Sequence, residues 1–494
     1  SLKASLRDVT PPGETLGLDV RLADVIVTWN VFRHFYPYWS ESAVDWDQHL
    51  RPRLEAEQVD ASRAQHQDDL RLLVADARDG HGYVADTLSR SPRGFAPILL
   101  AVVEGRLVIS ASESAEAPVG AEVTAIDGVP APERLAREMR LHSGTTQWRE
   151  SRANRELASC PKDSTLRLRI DANGKTREVS LQCSATRPPS ETRPSAVGEL
   201  QPGLWYVDLT RATKAEVVSK VAQLAEARGV VFDVRGYPTD AGVAILPHLV
   251  DTAEFSRWMH VAKLVGPFGQ SEGWQSFGWN LRPATPRLRG QVVFLTDGRA
   301  ISYAESVLGY VRDLQLARVV GGVTAGTNGN VATFRLPGGF TIGFTGMRVT
   351  GRDGKTPFHL IGVPAHPTRV EQPVFFDWRD GLDHELVLPS VAVLGVVDDL
   401  AAHLAVVNHL VDHVGAVDAL GDALNAVALE GGLELLDCNG PVDRRHLAGA
   451  EHVDSVQDQR FRITPGVESY QHGRRGDHRK DLSPMCNHIV RPTG

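Results

Sequence analysis

The stretch that decides the fold is VVFLTDGRAISYAE, residues 292–305. Its first four residues form an apolar run typical of a buried strand, and residues 296–299 supply turn chemistry. Ser302 then stands at the start of a predicted helix that continues to about Asp313. A serine in this position lies beside unpaired helical N–H groups and the positive end of the helix dipole, a setting that stabilises an oxyanion. An ordinary N-cap serine gives the same local pattern, so a catalytic role needs support from other segments.

Strands and helices alternate on both sides of this stretch. Apolar strands are predicted at residues 204–209, 229–234 and 317–322, and helices at residues 214–227 and through 245–250. Such alternation is typical of a mostly parallel sheet covered by helices. The sequence therefore predicts an α/β core over residues 201–386.

Composition excludes several classes of protein. The 494 residues suffice for two to four domains, and a net charge of −8 without a basic stripe disfavours nucleic-acid binding. No apolar run approaches the 18 or so residues of a transmembrane helix. The four cysteines form no CxxC pattern, so neither a metal site nor a cofactor is expected. Cys160 and Cys183 flank a predicted hairpin, where they form either a disulfide in an oxidising compartment or two small buried residues.

The N-terminal region, residues 1–94, is predicted to be mainly helical. It carries an aromatic cluster at residues 29–39 that we expect in a core, and a helix over residues 68–77. Two glycines then flank a histidine in the turn Asp79-Gly80-His81-Gly82. Glycines at a helix end leave His81 on an irregular segment, where catalytic histidines often occur.

Residues 95–183 are predicted to form short strands with one helix at residues 131–141. Their order around Ile126-Asp127-Gly128 resembles a PDZ domain, although no carboxylate-binding loop is recognisable. The resemblance implies binding of an extended peptide by strand addition to a sheet edge. Residues 184–200 are rich in Pro, Ser and Thr, which predicts a linker.

Taken together, five segments in order resemble the tail-specific, or C-terminal processing, serine peptidases, and among them the tricorn-like branch. They are the histidine turn, the PDZ-like unit, Phe232-Asp233-Val234-Arg235-Gly236 (similar to "DLRGN-GG"), Ser302-Tyr303-Ala304-Glu305 (similar to "S-A-x-E") and Gly362-Val363-Pro364-Ala365-His366-Pro367 (similar to "GV-x-PD"). The resemblance implies an α/β (crotonase/ClpP-like) peptidase core acting on extended or unfolded polypeptides. It also favours a periplasmic or secreted location, and leaves the oligomeric state open.

The resemblance also implies roles for individual residues. Thr327 stands where the processing branch has its general-base lysine, so the base is assigned to His81 and the nucleophile to Ser302. A serine hydroxyl needs such a base near neutral pH. The backbone N–H groups of Gly236 and Tyr303 are the expected oxyanion hole.

Glu305, one helical turn after Ser302, either orients a neighbour or the substrate, or is a solvated or capping carboxylate. Two positions depart from the tricorn-like pattern, because Gly80 replaces a serine and His359 replaces a glutamate that together steady the base. We therefore expect His81 to be oriented by another group, His359 or Asp79.

These departures leave an alternative open, a catalytically weak or inactive peptide- or ligand-binding protein on the same scaffold. A third hypothesis, an α/β-hydrolase esterase, is disfavoured because Ser302 lacks a G-x-S-x-G elbow.

The family pattern stops near residue 386. Residues 387–494 are predicted to be an atypical tail, with helices over residues 387–436 and disorder from about residue 453. The residues from 384 onward hold nine of the 18 histidines but a single lysine, Lys480. This break in composition is the basis for the hypothesis that the tail is an out-of-frame translation.

Overall fold

The computed structural model describes residues 16–59, 62–88, 92–264, 271–354 and 358–366. The predicted atypical tail, residues 387–494, lies outside the described residues. None of the helices in the described ranges combines the length and the hydropathy that crossing a bilayer requires.

Four helices form the N-terminal region, as predicted: α1 (Leu18–Phe35), α2 (Trp39–Ser42), α3 (Asp47–Ala56) and α4 (Arg63–Asp76). A capping box starts α4, since the Ser62 hydroxyl accepts a hydrogen bond from the Gln65 amide and the Gln65 side chain accepts one from the Ser62 amide. Most of the predicted aromatic cluster is buried here, although Phe35 is exposed. Phe32 is fully enclosed, and its ring lies 5.2 Å from that of Phe344. This contact packs the helices against a strand from the far end of the described chain.

The β module, residues 92–183, has a hydrophobic core of its own. Its strands are β2 (Arg93–Phe95), β3 (Ile98–Val103), β4 (Arg106–Ser112), β5 (Glu122–Ile126), β6 (Val129–Pro130), β7 (Ser159–Pro161), β8 (Thr165–Ala172) and β9 (Lys175–Gln182). Six strands form one sheet in the order β3-β4-β5-β8-β9, with β6 paired to β5, while β2 pairs with β7. The predicted helix appears as α5 (Ala131–Arg140). Cys160 and Cys183 form a disulfide, so the first of the two alternatives for them holds.

A second helix in the β module, α6 (Thr146–Leu157), was not predicted. It buries Ala153, Asn154 and Leu157, and the rest of its residues are mostly charged or polar. So few apolar residues give little helical periodicity, and the sequence pattern therefore carried no signal for it.

The central sheet has the order β10-β11-β12-β15-β16, with β10 antiparallel to β11 and the remaining neighbours parallel. Its strands are β10 (Val197–Gln201), β11 (Leu204–Asp208), β12 (Gly229–Asp233), β15 (Gln291–Thr296) and β16 (Arg318–Gly321). Helices α7 (Lys214–Glu226), α8 (Ala241–Ile245) and α9 (Tyr303–Asp313) contribute to its core. The predicted linker at residues 184–200 thus ends inside this sheet, because its last residues form β10.

Two small sheets complete the described structure. One has the order β14-β13-β19, from β13 (Met259–Leu264), β14 (Ser271–Phe277) and β19 (Arg348–Val349). The other has the order β1-β18-β17, from β1 (Tyr83–Asp86), β17 (Val331–Arg335) and β18 (Phe340–Thr345). Pairing of Tyr83 opposite Gly343 brings the turn around His81 next to the end of β18. This long-range pairing was not predicted, and it positions the site described below.

Candidate active site

Ser302 sits in a strained backbone conformation between β15 and α9. Its φ of 60° and ψ of −112° are unusual for a residue with a Cβ, and strain of this kind costs on the order of 1–3 kcal/mol. Its hydroxyl makes no capping hydrogen bond to α9, so the ordinary N-cap role is wrong. The Ser302 N–H donates to the Thr327 carbonyl at 2.8 Å. Every residue from Ala304 to Val311 is buried, which anchors the helix behind the serine.

Glu305 is fully buried, so the solvated carboxylate considered from sequence is wrong. Its Oε1 accepts from the Gly326 N–H at 2.7 Å and from the Thr324 hydroxyl, and its Oε2 accepts from the Thr327 N–H at 2.8 Å. Burial raises the pKa of Glu305 to about 8, against the opposing effect of these donors. Glu305 is therefore a positioning residue for the loop, residues 324–327, to which Ser302 is bonded.

Asp79 holds the histidine turn in place from a fully buried position. The backbone carbonyl of Asp79 accepts from the Gly82 N–H at 2.7 Å, and its Oδ1 accepts from the His81 N–H at 3.1 Å. Thr345 donates to the same carboxylate twice, with its hydroxyl to Oδ1 and its N–H to Oδ2, each at 2.6 Å. These two hydrogen bonds fix Thr345, the last residue of β18, to Asp79 in the histidine turn.

The imidazole of His81 contacts this pair, with its Nδ1 2.9 Å from the Thr345 hydroxyl oxygen. Because that hydroxyl donates its single proton to Asp79, it accepts from His81, which places a proton on Nδ1 and a lone pair on Nε2. Burial lowers the pKa of His81, and the charge of Asp79 partly offsets this effect. A neutral imidazole with a free Nε2 is the form that a general base requires.

Thr327 connects the histidine turn to the serine. Its hydroxyl oxygen accepts from the Gly80 N–H at 3.0 Å, while its carbonyl accepts from Ser302. A Cβ at position 80 would lie 3.0 Å from the Thr327 Cβ and closer still to its hydroxyl oxygen. Gly80 is one of the two departures from the tricorn-like pattern, and Thr327 stands where the processing branch has its lysine; the two residues fit each other. Within the described residues no hydrogen bond joins His81 to the Ser302 hydroxyl, and such contacts are often loose without substrate.

His359 does not take the orienting role considered for it. Its Nε2 lies 2.5 Å from the Tyr36 hydroxyl, and its ring stacks on Tyr38 with centroids 3.8 Å apart. Burial lowers the pKa of His359 to about 4. The group that contacts His81 is Thr345, which sequence reasoning missed because 264 positions separate the two residues. Asp79, the other residue considered, acts through Thr345.

The two expected oxyanion donors differ in availability. Among the described residues nothing accepts a hydrogen bond from the Tyr303 N–H at the start of α9, and the Tyr303 hydroxyl accepts from the Val243 N–H at 2.7 Å. Gly236 has a φ of 141°, and its N–H donates to the Val234 carbonyl at 2.8 Å. In this arrangement Gly236 is not a free donor, and its turn has to rearrange before it can bind an oxyanion.

An ion-pair network beneath the site was also missed. Glu191, from the predicted linker, accepts from Arg193 at 2.7 Å and from Arg299 at 2.5 Å. Arg193 donates to the backbone carbonyl of Arg235, and the Arg235 guanidinium donates to the Asp233 carboxylate at 2.6 Å. Burial raises the pKa of Glu191, but the charges of Arg299 and Arg193 outweigh it and lower this pKa to about 2. The network ties the turn that carries Gly236 to the turn that precedes Ser302.

No group of three or more His, Cys, Asp or Glu side chains in the described ranges is arranged to hold a metal ion.

Comparison with known proteins agrees with this architecture. Residues 204–367 match the model of peptidase family S41. A structure of mature CPAF complexed with lactacystin superposes with a TM-score of 0.58 and 16% identity, covering 71% of this chain and 93% of that one. Mature CPAF gives 0.56 and 16%, with 71% and 92% covered. The photosystem II D1 C-terminal processing protease gives 0.42 and 19%, with 70% and 92% covered. No curated protein matches the chain.

Proposed function

We propose that this chain, a serine-type peptidase that belongs to peptidase family S41, is an endopeptidase of extended or unfolded polypeptides, with Ser302 as nucleophile and His81 as general base. Family membership rests on residues 204–367, which include the nucleophile segment. The assignment of the base places the chain in the histidine-dependent, tricorn-like branch.

One observation carries the proposal, the chain of contacts from His81 through Thr345 to Asp79. It fixes the tautomer in which Nε2 has a lone pair, and it supplies a carboxylate that stabilises the imidazolium formed when Nε2 takes a proton. The same arrangement compensates for the two departures from the tricorn-like pattern, because the Thr345 hydroxyl and the Asp79 carboxylate supply the groups that Gly80 and His359 lack.

The reaction then proceeds by acyl transfer. Nε2 of His81 takes the proton of the Ser302 hydroxyl while Oγ attacks the peptide carbonyl carbon, and the carbonyl oxygen becomes an oxyanion. His81 returns the proton to the leaving amine as the C–N bond breaks, and a water molecule, deprotonated in the same way, hydrolyses the acyl-enzyme. In this mechanism the Tyr303 N–H donates to the oxyanion, and the Gly236 N–H joins it once its hydrogen bond to the Val234 carbonyl opens.

The nucleophile and the histidine turn share one support, because the Ser302 N–H and the Gly80 N–H both donate to Thr327. The proposed reaction requires Oγ of Ser302 and Nε2 of His81 to come within hydrogen-bonding distance when the substrate is bound.

A fluorophosphonate probe tests the proposal, combined with cleavage of unfolded casein. We expect labelling at Ser302, loss of labelling and cleavage in Ser302→Ala, and strong loss of both in His81→Ala. Tyr83→Phe, two residues beyond His81 on an exposed strand position, is the matched control and should label normally. Absence of labelling in the folded wild-type protein, with retained binding of unfolded peptide, would favour the non-catalytic alternative.

A further inference from the structure

We propose that a cavity behind the histidine turn binds a small oxyanion, a phosphate or a carboxylate, between the guanidinium groups of Arg78 and Arg149. The cavity has a volume of about 420 Å³, within the range of small-molecule sites. It lies between helices α3 and α4 on one side and the start of α6 on the other. Its charged and polar walls include Asp45, His49, Asp76, Arg78, Thr145 and Arg149.

The two acidic residues in the wall already have partners. Asp76 accepts from Arg53 at 2.8 Å and lies 3.0 Å from Nδ1 of His49. Asp45 accepts from the side-chain amide of Gln48 at 2.6 Å. Oδ2 of each carboxylate is thus engaged by a donor, and the charge of Arg53 offsets that of Asp76, so Asp76 opposes an incoming anion less than an unpaired carboxylate would.

The two arginines are in the opposite situation. Arg149 donates from Nε to the Met139 carbonyl at 2.8 Å, and Arg78 donates from one Nη to the Ser42 carbonyl at 3.5 Å. Within the described residues neither forms an ion pair with a carboxylate. Each guanidinium has five N–H donors, so most of them remain available toward the cavity.

The guanidinium groups of Arg78 and Arg149 also repel each other. Burial and the charge of Arg78 lower the pKa of Arg149, so the uncompensated pair is electrostatically costly. An oxyanion between the two would relieve the repulsion and match the planar fork of a guanidinium, which binds phosphate and carboxylate groups with two parallel hydrogen bonds.

The position of the cavity links it to the site. Arg78 directly precedes Asp79, a Cβ at Gly144 would lie 2.8 Å from the Cα of Gly80, and Thr145 donates to the Ala325 carbonyl at 2.7 Å. A bound anion would therefore join the N-terminal helices to the β module at the place where both support the histidine turn. Anion binding and its effect on stability can be measured without any peptidase activity, so this proposal is tested independently of the proposed function.

Isothermal titration calorimetry of the full chain, at constant ionic strength, tests this site with sodium phosphate and, separately, with sodium succinate. We expect saturable binding of one equivalent of at least one of these anions, weakened at least tenfold in Arg149→Gln. The control Arg152→Gln removes the same charge from the same helix, outside the cavity wall, where Arg152 lies over the Trp148 ring. It should bind as the wild type does. Binding of phosphate or of succinate shows whether the site prefers a phosphate or a carboxylate group.

Two results would overturn the proposal. One is the absence of saturable binding for both anions, and the other is equal weakening by Arg149→Gln and Arg152→Gln, which would indicate diffuse charge. The chain's net charge of −8 repels anions at long range, so saturable binding requires a local site. If Arg149→Gln does not fold, Arg78→Gln replaces it, since Arg78 is exposed and its guanidinium makes one long hydrogen bond, to the Ser42 carbonyl, within the part of the chain that the structure describes.

Discussion

The Thr345 hydroxyl oxygen lies 2.9 Å from Nδ1 of His81, although 264 positions separate the two residues. The pairing of β1 with β18 brings them together, and Asp79 completes the arrangement by accepting the Thr345 proton. A hydroxyl and a carboxylate thus stand behind the proposed base, but neither comes from the positions at which the family resemblance placed them. Gly80 and His359 occupy those positions, but Gly80 donates to Thr327 and His359 contacts Tyr36.

Removing the Thr345 hydroxyl should show whether Thr345 positions His81 for catalysis or only supports the fold. We expect Thr345→Val, which keeps the shape of the side chain, to lower kcat/KM by about 10², the lower end of what a general base contributes. Thr345→Ser keeps the hydroxyl and should retain most activity. Steady-state kinetics on an unfolded substrate, with thermal unfolding as a control for folding, make the comparison. Equal loss in both variants would contradict the positioning role.

The pH profile should report the environment of His81. Since burial lowers its pKa, the base stays unprotonated to lower pH than an ordinary histidine, whose pKa is about 6.5. We therefore expect kcat/KM to fall on the acid side with an apparent pKa below about 6.5. Asp79 raises the pKa of His81, so Asp79→Asn should move this limb to still lower pH as well as reduce the rate. A limb that moves upward in Asp79→Asn would disprove the assignment.

The strained backbone at Ser302 predicts that replacing this residue by glycine increases stability while abolishing activity. Glycine adopts a positive φ without the Cβ penalty, so Ser302→Gly should abolish hydrolysis and raise the free energy of unfolding by about 1 kcal/mol. Ser302→Ala should abolish hydrolysis while keeping the strain. Chemical denaturation of the two variants tests this difference, and a less stable glycine variant would be the contrary result.

Gly80 and Thr327 should be energetically coupled. We expect Gly80→Ala to destabilise the chain and reduce hydrolysis, because its Cβ would clash with Thr327 and press on Trp148. Adding Thr327→Gly should recover part of the stability, since it removes the nearer obstacle. A double-mutant cycle on the free energy of unfolding measures this coupling, and strictly additive effects would show that the two residues are independent.

The disulfide should stabilise the β module. Cys160 and Cys183 are 23 positions apart, and closing a loop of this length is worth about 3 kcal/mol in the chain-entropy model. Reduction, or the variant carrying both Cys160→Ser and Cys183→Ser, should therefore lower the unfolding midpoint. Thiol titration of the denatured, unreduced protein checks the bond directly, and four free thiols would refute it. Disulfides persist in oxidising compartments, and the periplasmic or secreted location stays a prediction.

Local patterns in the sequence determined much of this protein. Apolar runs at residues 229–234 and 292–295 specified buried strands, because an uninterrupted apolar segment is stable only inside a sheet covered on both faces. The glycine-flanked histidine turn and the serine after a strand were recognisable for the same reason, since each depends on conformations set by a few neighbouring residues. Helix α6 was missed because it has too few apolar residues to give a helical period. The strands β17 and β18 were also missed, although residues 340–345 carry the apolar/polar alternation typical of a strand.

Only the tertiary structure decided what stands behind His81 and beside Ser302. The contacts of Thr345, Thr327 and Glu191 depend on strand pairing and loop packing between segments far apart in the chain, and side-chain hydrogen bonds leave no periodic trace in a sequence. A hydrogen bond needs its two atoms within about 3 Å, a condition that residue identity alone does not specify. The sequence thus identified the proposed nucleophile and the proposed base, whereas the tertiary structure determined which groups contact them.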